Sequence, residues 1–156
     1  MKNTISSEMK TDSFKILLGD DDEDDCMFFR DALEELSLPA SLNIVNNGVE
    51  LMSFLESNSI NLPHVLFLDL NMPLKAGSEC LLEIKQNEKL KKLPVVIFST
   101  SANPEVMESL YKKGAQHYIK KPSDFENLKS VIHKALIFIG ENKFVQPPKE
   151  NFLILP

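Results

Sequence analysis

The segment Val65-Leu66-Phe67-Leu68-Asp69 decides the fold of this chain. Its first four residues form an uninterrupted apolar run, which is typical of a strand buried on both faces of a parallel sheet. The run stops at an acidic residue, Asp69, which marks the end of the strand. On both sides of this segment, short apolar runs alternate with amphipathic stretches. This alternation predicts repeated βα units and an α/β fold.

Five βα units fit the sequence. The predicted strands are residues 15–18, 42–45, 65–68, 95–98 and 117–119. An amphipathic helix follows each of them, because apolar residues recur at helical spacing after every strand. We therefore predict a doubly wound, five-stranded parallel sheet flanked by five helices.

Composition limits what else the chain can be. A length of 156 residues with 43% hydrophobic content is about the size of one domain. The formal net charge of −6 argues against nucleic acid as the main partner, which would need a basic face. Apolar runs are far shorter than the roughly 18 residues of a membrane span, and residues 1–12 lack an apolar signal region. With Cys26 and Cys80 showing no disulfide or zinc spacing, we expect a soluble protein of the reducing cytoplasm.

Chemically active side chains follow four of the five predicted strands. They are Asp20 and Asp21 after the first strand, Asp69 after the third, Ser99 and Thr100 after the fourth, and Lys121 after the fifth. Right-handed crossovers bring the carboxyl ends of parallel strands to one edge of the sheet, where binding sites collect. We therefore expect these groups to lie together.

The expected cluster predicts a divalent cation and a nucleophilic carboxylate. Carboxylates this close raise one another's pKa unless a cation intervenes, and hard oxygen ligands with open water positions suit Mg²⁺. Asp69 could then attack a phosphoryl group. Lys121 would supply positive charge to the phosphate oxygens, and the Ser99 hydroxyl and the backbone N–H of Thr100 would donate hydrogen bonds to them. Each motif alone is commonplace, and their joint order carries the prediction.

The motifs that carry a family resemblance are ILLGDDD at 16–22, LDLNMP at 68–73 with a glycine at 77, FSTS at 98–101 and YIKKP at 118–122. In this order they resemble a response-regulator receiver domain of the stand-alone kind, over roughly residues 14–139. The resemblance implies the flavodoxin-like strand order 2-1-3-4-5. It divides the chain into a flexible N-terminus at 1–12, a receiver domain at 13–140 and a C-terminal tail at 141–156.

The resemblance also implies roles for the site residues in two-component signalling. Asp69 would accept phosphate from the phosphohistidine of a histidine kinase or a histidine phosphotransfer protein. Asp21, Asp69 and the backbone carbonyl of Asn71 would bind Mg²⁺, for which Mn²⁺ is expected to substitute, and Asp20 would help partly through water. Lys121 and Ser99 would hold the phosphoryl group. Because the acidic run continues beyond Asp21, the assignment of this metal ligand is open by one residue, and we favour Asp21 over Asp22.

The same resemblance predicts the output and the lifetime of the signal. Tyr118 aligns with the family's switch aromatic, which turns inward when the hydroxyl corresponding to Ser99 moves toward the phosphate. This movement would alter the face made by the fourth and fifth helices and the fifth strand. That face would then contact a downstream protein, which the sequence does not identify. Asn71 and Ser101 occupy the positions that tune hydrolysis, and because neither carries a carboxylate we predict slow self-dephosphorylation. The chain would be a phosphoacceptor signalling protein and not a conventional enzyme.

The sequence predicts two docking places for the C-terminal tail. The tail contains apolar residues at 152–155 and is expected to dock either on its own domain or on a second copy, which would make a homodimer.

A pseudo-receiver, which keeps the fold but signals without phosphorylation, is the second functional hypothesis. An aspartyl-phosphate hydrolase is the third hypothesis. Such enzymes have an Asp-x-Asp pattern, in which the second carboxylate acts as acid and base. Asn71 cannot serve in that role.

Overall fold

The computed structural model describes residues 13–156, so the predicted flexible segment 1–12 lies outside the described residues. The strands are β1 (Phe14–Gly19), β2 (Ala40–Val45), β3 (Val65–Leu68), β4 (Val95–Ser99) and β5 (His117–Lys120). The helices are α1 (Glu23–Glu35), α2 (Gly48–Ser57), α3 (Gly77–Gln86), α4 (Pro104–Lys112) and α5 (Phe125–Asn142). A short 3₁₀ helix follows at Lys149–Asn151. None of the helices in this part of the chain is long and apolar enough to cross a bilayer.

The five strands form one parallel sheet in the order β2-β1-β3-β4-β5. This confirms the predicted doubly wound fold with five flanking helices. The central strand β3 is fully buried, as its unbroken apolar run predicts, because helices cover both of its faces. The first two strands start one and two residues earlier than predicted, where half-buried residues give a weaker apolar signal.

Alternation along the strands divides the core into two layers. One face of the sheet packs against α1 and α5, with Leu18 and Phe67 among its buried residues. Three rings meet edge to face in this layer: Phe29 of α1 lies 4.9 Å from Phe67 and 5.6 Å from Phe98 between ring centroids. The other face packs against α2, α3 and α4, with Leu66 among its buried residues. Successive strand residues therefore anchor helices on opposite sides of the sheet.

Side-chain caps begin the helices α1, α2, α4 and α5. Asp22 accepts a hydrogen bond from the backbone N–H of Asp25 and so caps α1. Asn103 accepts from two backbone N–H groups of α4, whose first residue is Pro104. These caps fix the helix starts that follow β1 and β4, whereas the longer loop at 69–76 leads from β3 to α3 without a side-chain cap.

The chain beyond α5 returns to the sheet and docks on its own domain. The Tyr118 N–H donates to the carbonyl of Phe152, and the Ile154 N–H donates to the carbonyl of Tyr118, both at 2.9 Å. These bonds make a short parallel bridge along β5, which is the edge strand of the sheet. Phe152 and Ile154 are 3% and 4% exposed and enter the two core layers on opposite faces. Of the two docking places expected for the tail, this structure contains the one on the tail's own domain.

Candidate functional site

The carboxyl edge of the sheet brings together the acidic residues that follow β1 and β3. One carboxylate oxygen from each of Asp20, Asp21 and Asp69 lies within 4.8 Å of the others. Asp20 and Asp69 are 0% and 5% exposed, whereas Asp21 is exposed. The predicted grouping of these three side chains is therefore present in the described structure.

Backbone bonds that continue the sheet hold the two buried aspartates. The Asp20 N–H donates to the carbonyl of Val45 at 3.0 Å, and the Asp69 N–H donates to the carbonyl of Gly19 at 2.9 Å. The Asp20 carbonyl accepts from Asn46 Nδ2 at 3.1 Å. Because these are the last bonds before the chain leaves the sheet, both carboxylates start from rigid positions.

Lys121 extends into the acidic cluster from the end of β5. Its Nζ lies 2.8 Å from Asp20 Oδ2, 2.8 Å from Asp25 Oδ2 and 3.7 Å from Asp69 Oδ2. The side chain is 8% exposed, and its backbone N–H donates to the Ser99 carbonyl at 2.7 Å. The ammonium group therefore sits among three carboxylates that come from different loops.

Asp25 is a site residue that the sequence analysis does not identify. It lies in the first turn of α1, where the acidic run reads as surplus charge. Only the rotation of that turn directs Asp25, and not Asp24, toward Lys121. Asp22 has a different use, since its Oδ1 accepts the hydrogen bond that caps α1.

Burial dominates the electrostatics of Asp69. Removal from water raises the pKa of its carboxyl group to about 6, the charge of Lys121 acts in the opposite direction, and the neighbouring Asp20 adds a smaller upward effect. The repulsion expected between crowded carboxylates is thus present but is not the main cause. For Lys121, burial lowers the pKa, but the nearby carboxylates of Asp20 and Asp25 outweigh this effect and raise the pKa above its usual value.

The donor set fits a hard divalent cation. Asp20 Oδ2 is buried and accepts no hydrogen bond of good geometry, although Lys121 Nζ lies close to it. A buried carboxylate oxygen with unused lone pairs is available to a cation or to a water bound to one. The third carboxylate, on Asp21, faces solvent and leaves room for water ligands.

The end of β4 and the loop that follows it are connected by hydrogen bonds to β5. Ser99 is fully buried, and its Oγ accepts from the Ser101 N–H at 3.4 Å. Thr100 is exposed. The Tyr118 ring is fully buried, and its hydroxyl donates to the Ser101 carbonyl at 2.6 Å. The aromatic residue predicted to act as a switch is therefore in an inward position, tied to the loop that carries Ser99.

The loop after β3 completes the surroundings of Asp69. The N–H of Asn71 donates to Asp69 Oδ1 at 3.4 Å, and Asn71 itself is exposed. Gly77, at the start of α3, packs against the backbone of Asp69 so closely that a Cβ there would overlap the Asp69 carbonyl oxygen. A glycine is needed at position 77 because the helix and the site loop touch through their main chains.

Comparison with known protein families identifies this arrangement. The model of the response regulator receiver domain matches residues 16–133. Response regulator Rcp1 of Synechocystis sp. (strain ATCC 27184 / PCC 6803 / Kazusa) is 34% identical over 117 residues, which are 72% of this chain and 80% of Rcp1. The probable methanogenesis regulatory protein FilR2 of Methanothrix harundinacea (strain 6Ac) is 31% identical over 126 residues, which are 79% of this chain and 81% of FilR2.

Solved structures agree with the sequence matches. The phosphorylated cyanobacterial phytochrome response regulator RcpA superposes with a TM-score of 0.73 at 31% identity, covering 87% of this chain and 99% of RcpA. The Mn²⁺-bound form of Rcp1 superposes with a TM-score of 0.68 at 29% identity, covering 91% of this chain and 98% of Rcp1. The chain therefore belongs to the response regulator receiver domain family.

Proposed function

We propose that this protein is a response regulator that accepts a phosphoryl group on Asp69 from the phosphohistidine of a histidine kinase or a histidine phosphotransfer protein. The observation that carries the proposal is the position of Asp69, a buried carboxylate beside two acidic residues and 3.7 Å from Lys121 Nζ. This is the arrangement that a phosphoacceptor requires, because the acceptor oxygen must be fixed and the charge of the incoming group must be neutralised.

The transfer forms one bond and breaks another. A carboxylate oxygen of Asp69 attacks phosphorus in line with the donor imidazole, so that a P–O bond forms as the P–N bond breaks. The imidazole leaves with the electron pair of the broken bond. Asp69 must be ionised to attack, and its pKa near 6 leaves it mostly ionised at neutral pH.

Asp21, Asp69 and the backbone carbonyl of Asn71 would hold a Mg²⁺ ion, with Asp20 contributing partly through water. When bound, the ion offsets the repulsion between the carboxylate and the phosphoryl oxygens. The Mn²⁺ ion in the Rcp1 structure supports a divalent cation site in a related protein. Asp20 Oδ2, buried and short of hydrogen-bond donors, supports the same assignment here.

The remaining groups would bind the transferred phosphoryl group. Lys121 Nζ, which lies 3.7 Å from Asp69 Oδ2, would donate to a phosphoryl oxygen on Asp69, and the Ser99 hydroxyl and the Thr100 N–H would donate to the others. Movement of the loop after β4 toward the phosphoryl group would reach Tyr118 through its hydrogen bond to the Ser101 carbonyl. This connection would convert phosphorylation into a change at the surface beside β5, where an unidentified protein target would bind.

The relatives support phosphorylation over the pseudo-receiver hypothesis. RcpA, which shares 31% identity with this chain, is described in a phosphorylated form. A pseudo-receiver has no need of the complete set of carboxylates and lysine that this chain contains. Asn71 and Ser101 offer no carboxylate to activate water, so we expect the phosphorylated state to hydrolyse slowly. We place the protein in the cytoplasm, where histidine kinases present their phosphohistidine.

Intact-mass analysis after incubation with a small phosphodonor tests the proposal. The wild-type protein should gain one phosphoryl group when Mg²⁺ is present and far less when it is chelated. Asp69→Asn should gain none. Asp24→Asn, which removes an exposed carboxylate from the same acidic run, should behave as wild type. An equal adduct on Asp69→Asn would refute the acceptor, and no adduct on wild type, under conditions that modify another receiver, would favour the pseudo-receiver.

A further inference from the structure

The C-terminal strap, which we define as residues 143–156, packs in a defined position along α4, β5 and α5. Three side chains of the domain donate to backbone carbonyls of the strap, and the amide of Gln146 in the strap donates to backbone carbonyls of the domain. The bonds are Gln116 Nε2 to the carbonyls of Lys143 and Val145, Gln146 Nε2 to those of Tyr111 and Ala115, Tyr111 hydroxyl to that of Pro147, and Lys134 Nζ to that of Leu155. All are between 2.6 and 2.9 Å long. Such specific bonds indicate one preferred position for the strap.

Tyr118 is the residue on which the strap converges. Both of its backbone polar groups bond to the strap, through the Phe152 carbonyl and the Ile154 N–H. Its ring lies 6.1 Å from the Phe152 ring between centroids. Phe152 also packs edge to face against Tyr111, at 5.2 Å. The strap therefore fixes the backbone of Tyr118 and backs its aromatic ring.

The same tyrosine holds the loop that leads from β4. Its hydroxyl donates to the Ser101 carbonyl at 2.6 Å, and the Ser101 N–H donates to Ser99 Oγ at 3.4 Å. A continuous set of contacts thus runs from Phe152 through Tyr118 to the segment that contains Ser99 and Thr100. Within residues 13–156, no hydrogen bond joins the strap directly to that segment, so the connection passes through Tyr118.

We propose that the strap positions the phosphate-binding loop, with Phe152 and Tyr118 as positioning residues that lower the cost of ordering residues 99–101 around a phosphoryl group. The inference rests on the proposed function of Asp69 and extends it to the C-terminal residues. A loop that is already held in place loses less conformational entropy when it binds. The strap and the phosphoryl group should therefore stabilise one another, since coupling between two sites is reciprocal.

A pair of tyrosines provides the matched comparison. Tyr118→Phe removes the hydroxyl that holds the Ser101 carbonyl, whereas Tyr111→Phe removes a hydroxyl that bonds only to the strap, at Pro147. The probe is beryllofluoride, an analogue of the phosphoryl group, titrated at constant Mg²⁺. We expect Tyr118→Phe and Phe152→Ala each to weaken beryllofluoride affinity by roughly three- to tenfold, the range of one lost hydrogen bond. Tyr111→Phe should stay within about twofold of wild type.

A double-mutant cycle separates positioning from general destabilisation. If Phe152 acts through Tyr118, the double variant should bind beryllofluoride about as weakly as the weaker single variant. Hydrogen exchange gives a readout that does not depend on phosphoryl binding. In metal-free protein, amides of residues 100–103 should exchange faster in Tyr118→Phe and Phe152→Ala, and at the wild-type rate in Tyr111→Phe.

The outcomes are distinguishable. Wild-type affinity and exchange rates in Tyr118→Phe, effects in Tyr111→Phe as large as those in Tyr118→Phe, or fully additive effects in the double variant would each overturn the inference. If Phe152→Ala does not fold, Phe152→Leu, which stays apolar but removes the ring beside Tyr118, takes its place in the same measurements. Failure of the wild-type protein to bind beryllofluoride at all would instead refute the proposed function of Asp69.

Discussion

Replacing Asp69 by asparagine should stabilise the metal-free protein at neutral pH. Burial raises the pKa of this carboxyl group from 3.8 to about 6, which means that folding disfavours its ionised form. At 1.36 kcal/mol for each pKa unit, the ionised carboxylate costs roughly 3 kcal/mol of folding free energy. This cost is net, because the shifted pKa already includes the favourable charge of Lys121. Asparagine keeps an acceptor for the Asn71 N–H, so we expect a gain of about 1–3 kcal/mol.

The dependence on pH provides the sign of the effect. Because the folded-state pKa of Asp69 is the higher one, the folded protein holds this proton more tightly than the unfolded chain. The contribution of Asp69 to stability is therefore greatest below about pH 4 and is lost as pH rises through 6. The advantage of Asp69→Asn should be full at about pH 7 and should largely disappear near pH 4.

Urea unfolding in the presence of a chelator measures this difference. We expect a higher midpoint for Asp69→Asn at neutral pH with an unchanged slope, and no gain for Asp24→Asn, whose carboxylate is exposed. Added Mg²⁺ should stabilise the wild type and have a smaller effect on Asp69→Asn. A variant less stable than wild type at neutral pH, or a gain that is the same near pH 4, would refute the electrostatic reasoning.

Three further predictions follow from glycine packing, histidine burial and thiol burial. Gly77→Ala should lower stability by about 2 kcal/mol and weaken Mg²⁺ binding, because its Cβ would overlap a site carbonyl, whereas Gly140→Ala, with open space around it, should be neutral or slightly stabilising; equal stabilities in urea would contradict this. Burial lowers the pKa of His117, so stability should fall as pH drops below about 6.5, and His117→Gln should reduce that fall; an unchanged pH slope would exclude this source. Burial raises the thiol pKa of Cys26 and Cys80 to about 11, so neither should react with a disulfide reagent in native protein at mildly alkaline pH, and rapid labelling before unfolding would count against it.

The fold and the acidic cluster are predictable from sequence because buried strands leave recognisable apolar runs and because the topology of a parallel sheet then determines where the strand ends meet. A strand buried on both faces leaves an unbroken apolar run, as residues 65–68 do. Parallel strands place their carboxyl ends at one edge of the sheet, so the sequence alone predicts that Asp20, Asp21 and Asp69 lie together, as they do. Strand ends were less certain, since residues at the start of β2 are only partly buried.

Other details cannot be predicted from the sequence. They depend on the direction of individual side chains and on contacts between residues whose spacing along the chain follows no regular pattern. Asp25 reaches Lys121 because of the rotation of one helical turn within an acidic run. The position of the strap depends on amides such as Gln116 and Gln146, which bond backbone groups about 30 positions away and leave no pattern. The apolar residues at 152–155 indicate that the tail docks but not where.

A crystal structure of the protein with Mg²⁺ and beryllofluoride would test the central claim most directly. The account predicts beryllofluoride on a carboxylate oxygen of Asp69, the cation bound by Asp21 and Asp69, and Lys121 Nζ in contact with a fluoride. Beryllofluoride or Mg²⁺ bound elsewhere on the molecule, or a Lys121 that remains with Asp20 and Asp25 and makes no contact with the fluoride, would contradict it.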